Sequence, residues 1–178
     1  MLDGEKTDRR VRFTKLSLRT ALLSMLRERP IEKITVSALC DRADVGRGTF
    51  YMHYRDCFDL LEQIEGELYE QIRVLLSRQL VTSPAMRDTL VLIIDCIAKN
   101  VDLCAVIFTE HGDMRFLKRV LDLAYGEFPA KTADARYELL FAVNGAVGVI
   151  REWVAGGLRE TPARIADLIW RLSRGDLR

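Results

Sequence analysis

Hydrogen-bond donors crowd one short stretch of this chain: Arg47, Thr49, Tyr51 and His53, with Gly48 between the first two. A guanidinium, two hydroxyls and an imidazole make a poor core. They suit a polyanion, because such groups donate to phosphate oxygens and to the acceptor edges of bases. Phe50 and Tyr54 lie four apart in the same stretch, one helical turn, and can pack inward together. That leaves Arg47, Gly48, Thr49, Tyr51, Met52 and His53 facing outward or sideways.

Two short helices and a tight turn must position these donors. Thr35 suits the N-cap of the first, its hydroxyl accepting an orphan backbone N–H. Val36, Leu39, Cys40 and Ala43 then recur at helical spacing and give one apolar face. Asp44-Val45-Gly46 interrupts that pattern with a polar turn former, an apolar plug and a glycine free to leave helical angles. Arg47 opens a second helix, too short to stand alone and expected to end near Tyr54.

Ile34-Thr35-Val36 followed by Ala43-Asp44-Val45-Gly46-Arg47-Gly48-Thr49-Phe50-Tyr51-Met52-His53-Tyr54 resembles the DNA-binding domain of the TetR family of bacterial transcriptional regulators. The resemblance is specific over residues 9–61, where the order and spacing of the elements match, and beyond them rests on length and helical character. It implies an all-α protein of about nine helices. Residues 1–56 would form a three-helix, helix-turn-helix DNA-binding domain with an N-terminal arm, and residues 57–178 a helical dimerisation and ligand-binding domain. It implies that Arg47, Gly48 and Tyr51 read base edges and that Ser37 reaches a base as well. Thr35, Thr49, His53 and Arg55 fall at phosphate-contact positions. An arginine bidentate to a guanine is worth about 1–3 kcal/mol of discrimination.

Two residues depart from the family pattern. Gly46 replaces the usual polar cap of the third helix, so no side-chain hydrogen bond is available there. Cys57 stands where many members place a lysine at the start of the fourth helix. The fourth helix, capped by Asp56, is expected to point its N-terminal amides at the DNA backbone. A lysine at position 57 would then tighten duplex binding, unless Cys57 packs beneath the first helix.

Composition is compatible with this reading. Of 178 residues, 49% are apolar, enough for a substantial core. Charge is nearly balanced overall but not along the chain: residues 1–56 carry 12 Lys/Arg against 8 Asp/Glu, the rest 15 against 18. A basic N-terminal end fits nucleic-acid contact. No apolar run nears the roughly 18 residues of a membrane span, and the charged N-terminus does not read as a signal peptide, so a cytoplasmic protein is expected. Cys40, Cys57, Cys96 and Cys104 show no C-x-x-C spacing and read as small hydrophobes in a reducing compartment, with redox sensing by Cys96 and Cys104 as the other reading. No metal, cofactor or catalytic residue is expected.

Along the rest of the chain, residues 1–8 read as polar and irregular. Arg9, Arg10, Arg12 and Lys15 form a basic cluster entering the first helix, whose buried side is assigned to Phe13, Leu16, Leu22, Met25 and Leu26. Arg29-Pro30 ends it. Leu61, Ile64, Leu68, Ile72 and Leu75 mark a long amphipathic fourth helix. A break is expected at 81–84, a fifth helix over 85–99, a short sixth over 101–109, a turn at His111-Gly112-Asp113, a seventh over 114–126 and a stop at Phe128-Pro129. The eighth, over 132–155, is apolar nearly all round and holds Gly145 and Gly148, which suggests close approach of another helix. Thr161-Pro162 opens the ninth as N-cap and first residue.

Function follows as an expectation: a sequence-specific DNA-binding transcriptional regulator, a homodimer through helices eight and nine on a near-palindromic duplex operator. In the family's usual sense it would be a repressor released by a small-molecule effector, with activation left open. Candidate effector-pocket residues are Phe108, Tyr125, Phe141, Asn144 and Trp153. The alternative is a helical protein–protein adaptor or coactivator that has lost DNA binding. No nucleophile–base pair, metal spacing or glycine-rich phosphate loop argues for an enzyme.

Overall fold

The computed structural model describes the backbone of residues 2–77, 85–109, 112–127 and 130–174, and the side chains of these except 2–8 and 85. The expected breaks at 81–84 and 128–129, and His111, lie outside the described residues. The described chain is all-α and carries no strand. Its helices are α1 (Leu2–Leu26), α2 (Val36–Ala43), α3 (Arg47–Tyr51), α4 (Cys57–Ser77), α5 (Ala85–Lys99), α6 (Val101–Ile107), α7 (Met114–Glu127), α8 (Ala133–Ala155) and α9 (Pro162–Ser173), with a 3-10 turn at Ile31–Lys33. Two compact units result, Met1–Gly66 with Thr109–Gly112 and Glu67–Phe108 with Asp113–Arg178.

In the first unit α1 starts at Leu2, so the segment expected to be irregular is helical. Its buried face also differs from expectation. Leu18, Ala21, Leu22, Met25 and Leu26 are buried, whereas Phe13 is 71% and Leu16 59% exposed. The reason is helical phase: Leu16 lies two residues before Leu18, which turns it about 200° to the opposite side. α1 packs on α2 and α2 on α3, and Leu39 and Cys40 of α2, Phe50 of α3 and Leu60, Leu61 and Ile64 of α4 are buried within the same unit. An exposed ion pair, Arg42 Nη2 to Glu28 Oε1 at 3.3 Å, and a bond from Arg42 Nη1 to Ser24 Oγ at 3.2 Å fasten α2 to the end of α1. A hydrogen bond from Arg29 Nη2 to Glu28 Oε2 at 3.2 Å and the bond from Arg42 hold the Glu28 carboxyl below its ordinary pKa.

The second unit closes through α5, α8 and α9. Ile94, Ile150, Trp153, Ile165, Ala166 and Ile169 are buried. Arg87 on α5 reaches Asp167 on α9 with Nη2–Oδ1 at 2.6 Å and Nε–Oδ1 at 2.8 Å. Thr161 accepts from the Arg164 amide at 3.3 Å and Pro162 follows at the helix start, as the sequence predicts. Between α8 and α9, Gly157 (φ 80°) and Leu158 (φ 55°) turn the chain through left-handed angles. Trp153 Nε1 locks that turn by donating to Glu160 O at 3.0 Å. Within the described chain nothing comes close to Gly145 or Gly148: a methyl placed on either would meet no atom within 4 Å.

Candidate nucleic-acid interface

The turn between α2 and α3 sets the site. Thr35 Oγ1 accepts from the Ala38 amide at 3.2 Å and starts α2 as expected. At the other end the residue that takes the left-handed conformation is Asp44, at φ 52°, and not Gly46. Aspartate tolerates that region better than most residues because its short side chain can bond locally. Val45 N–H donates to Cys40 O at 3.0 Å and seals the end of α2. Gly46, at φ −63° and ψ 139°, is the N-cap of α3 in a conformation open to any residue; it makes no side-chain capping bond, as the sequence predicts.

α3 is one turn and a half, too short to persist by backbone bonds alone. Phe50 anchors it, fully buried, with its ring 5.5 Å from Tyr51 and 5.7 Å from Tyr54. The polar face then follows from helical phase. Arg47 and Gly48 are exposed, and a Cβ at Gly48 would find open space. Tyr51 is 59% exposed, while Thr49 and His53 are half-buried. Ser37, half-buried on α2, is joined to this face: Arg47 Nη2 donates to Ser37 Oγ. Arg47, Ser37 and Tyr51 therefore stand as donors and acceptors on adjoining turns of two helices, with Gly48 leaving room for close approach.

Asp56 caps α4 as the sequence predicts, and the placement of Cys57 differs from the expected surface position. Asp59 N–H donates to Asp56 Oδ1 at 2.8 Å, and Asp59 Oδ2 accepts from Arg55 N–H at 2.8 Å. Asp56 thus occupies the first-turn amide of Asp59, while Asp59 reaches back to the Arg55 amide ahead of the helix, a bond that leads in holding the Asp59 carboxyl below its ordinary pKa. Arg55 is 81% exposed, with Nε 3.5 Å from Asp59 Oδ2. Cys57 is 3% exposed, and burial, reinforced by Asp56, pushes its thiol up to about 11. The position is core. A lysine there would bury its charge rather than meet a phosphate, so the expected gain in duplex affinity is withdrawn.

The second unit holds an apolar cavity of about 190 Å³. Helices α4 to α9 all contribute to its wall, which includes Phe108. The other four residues expected around an effector lie elsewhere. Tyr125 Oη accepts from Asn144 Nδ2 at 2.9 Å, Phe141 is 75% exposed, and Trp153 is buried at the α8–α9 turn. The residues that do line the cavity, such as Leu68, Ile72, Phe116 and Val147, carry no sequence signal that separates them from plain core. The free cysteines are all buried, and burial raises the thiols of Cys40 and Cys96 and pushes Cys104 up to about 12, which disfavours reactive thiolate. Among the described residues no cluster could hold a metal ion, and no helix is long and apolar enough to cross a membrane.

A helix-turn-helix head with a donor-rich, exposed second helix, joined in one chain to a separate helical unit with an apolar cavity, defines a DNA-binding transcriptional regulator. A family model described as "Transcriptional regulator C-terminal region", TetR_C_8, matches residues 85–175, and the chain belongs to the TetR family of transcriptional regulators. The chain is 34% identical over 53 residues to YxbF of Bacillus subtilis (strain 168), an uncharacterised HTH-type transcriptional regulator. That match spans 30% of this chain and about a seventh of the relative, 14% of its length. Solved structures share the fold at low identity. A TetR transcriptional regulator from Streptococcus agalactiae superposes with TM-score 0.62 at 20% identity, over 96% of this chain and 98% of that one. FadR from Bacillus subtilis, solved with stearoyl-CoA, gives 0.63 at 16% over 92% and 99%. NalD, the secondary repressor of the MexAB-OprM efflux pump in Pseudomonas aeruginosa, gives 0.63 at 15% over 99% and 98%.

Proposed function

We propose that this protein is a sequence-specific DNA-binding regulator that acts as a homodimer on a near-palindromic operator and is released from it by a small-molecule effector held in the second unit. One observation carries the reading: α3 is anchored by Phe50 alone and turns Arg47, Gly48 and Tyr51 outward, with Arg47 bonded to Ser37. Arg47, Ser37 and Tyr51 read base edges, and Thr35, Thr49, His53 and Arg55 contact phosphates. NalD is a repressor by name and FadR was solved with an acyl-CoA; repression relieved by an effector is the corresponding sense here. The open α8 face, with Tyr137 and Phe141 exposed beside Gly145 and Gly148, supports pairing of two copies through α8 and α9. Half-sites then fall about one helical turn, or a multiple, apart.

The test is duplex binding followed by fluorescence anisotropy across a salt series, with an operator first selected from a random duplex pool. A regulator that makes six to ten phosphate contacts loses roughly 10³-fold or more in affinity between 50 and 200 mM salt. A preferred sequence together with that steep loss is expected. If no duplex is bound at any salt, the DNA reading fails and a helical adaptor takes its place.

A further inference from the structure

We propose that the cavity of the second unit takes an uncharged, compact, hydrocarbon-like molecule, on the order of six to ten carbon atoms, with at most one hydroxyl or carbonyl group. The inference rests on the reading of this unit as an effector domain and names the effector's chemistry.

The wall carries the argument. Leu68 and Ile72 of α4, Ile94 of α5, Phe116 of α7 and Val147 and Ile150 of α8 face the space, and none of the described lining residues is Asp, Glu, Lys, Arg or His. An ion placed there loses its hydration and gains neither a countercharge nor a set of fixed donors. Thr89, itself buried, is the sole hydroxyl among those lining residues, and the Cys104 thiol is kept neutral by burial. A single polar atom on the ligand can be met by Thr89; a carboxylate or an ammonium group cannot. The volume agrees with this class. A dry cavity of about 150 Å³ lined by Leu, Ile and Phe accepts benzene, and the space here is about 190 Å³ with the same kind of wall. All of these residues belong to one compact unit, so the site does not depend on a second domain.

The experiment uses the full chain and three probes of equal chain length: 1-octanol, octanoate and octylammonium, titrated calorimetrically at neutral pH with stearoyl-CoA as a fourth. Octanol is expected to bind at least roughly 100-fold more tightly than either ion. Filling the space with Ala146→Phe should abolish octanol binding while the melting temperature holds. If that variant does not fold, Ala124→Leu fills the same cavity from α7. Three results would overturn the proposal: an ion or stearoyl-CoA binding as tightly as octanol, none of the four binding, or octanol binding unchanged in a folded, filled variant. Duplex binding by the ligand-free chain is measured separately. If it is absent while octanol still binds, the regulator reading fails and the ligand class stands.

Discussion

Arg47 on α3 donates to Ser37 on α2, so two residues assigned to base reading are already joined before any duplex arrives. The bond holds a long, otherwise exposed side chain near one orientation and lowers the entropy lost on binding. Arg47→Ala is expected to erase about 1–3 kcal/mol of preference between operator and random duplex. Ser37→Ala should weaken the preference less, because it frees the guanidinium without removing it. Both should leave the melting temperature nearly unchanged. An unaltered specificity ratio in Arg47→Ala would remove α3 from the role of reading helix.

Phe50 and Tyr51 are neighbours with opposite fates. Phe50 is fully buried and Tyr51 mostly exposed. Phe50→Ala should cost about 3–5 kcal/mol of stability. Tyr51→Ala should change stability by no more than about 0.5 kcal/mol while lowering operator preference. Chemical denaturation beside anisotropy separates the two effects.

The buried thiol at the start of α4 reverses the result that a surface position would give. Cys57→Lys is expected to lower the melting temperature and leave the slope of log affinity against log salt unchanged. An added phosphate contact would steepen that slope by about 1 per subunit. A steeper slope at an unchanged melting temperature would return the position to the DNA surface.

The turn offers two stabilising changes. Asp44 is left-handed, so Asp44→Gly relieves its backbone strain. Gly46 caps α3 at ordinary angles, and a Cβ there would meet only Thr49 Oγ1 at 3.9 Å. Gly46→Ser is therefore expected to stabilise the head by up to about 1 kcal/mol through a capping bond and a less flexible unfolded chain. A fall in the denaturation midpoint for Gly46→Ser would show that the glycine is needed for another reason.

Gly148 faces open space within its own chain. Gly148→Leu should leave the single chain folded, gaining up to about 1 kcal/mol of helix propensity. It should weaken self-association in sedimentation, with operator affinity falling in step. Unchanged association would take Gly148 out of the subunit contact.

The sequence made the helices legible where caps and periodicity agree. α5 runs Ala85–Lys99, and Thr35 and Thr161 cap α2 and α9 as read. It was less legible where the question was which side of a helix a residue faces. Phe13 and Leu16 are apolar, yet the stripe through Leu18, Leu22 and Leu26 leaves them outside; their phase was readable and composition misled. Gly46 leaves helical angles as the sequence suggests, but the left-handed residue of the turn is Asp44, because aspartate's tolerance of that region is a weaker signal than glycine's. The cavity was not legible. Its lining consists of the same apolar residues that elsewhere fill a core, and only the packing of separate helices determines where space is left.

That cavity also bears on how long the protein lasts in a cell. Atoms lining an empty space lack partners on one side and forgo dispersion contacts that an occupant restores. A molecule that binds the folded chain and not the unfolded one lowers the unfolded fraction by a factor of 1 + [L]/Kd. Proteases that act on transiently opened chains then meet fewer of them. On the proposal of an effector held in this cavity, the occupied regulator is expected to outlive the empty one, so that a compound acting on operator binding would also slow the protein's turnover and let it accumulate.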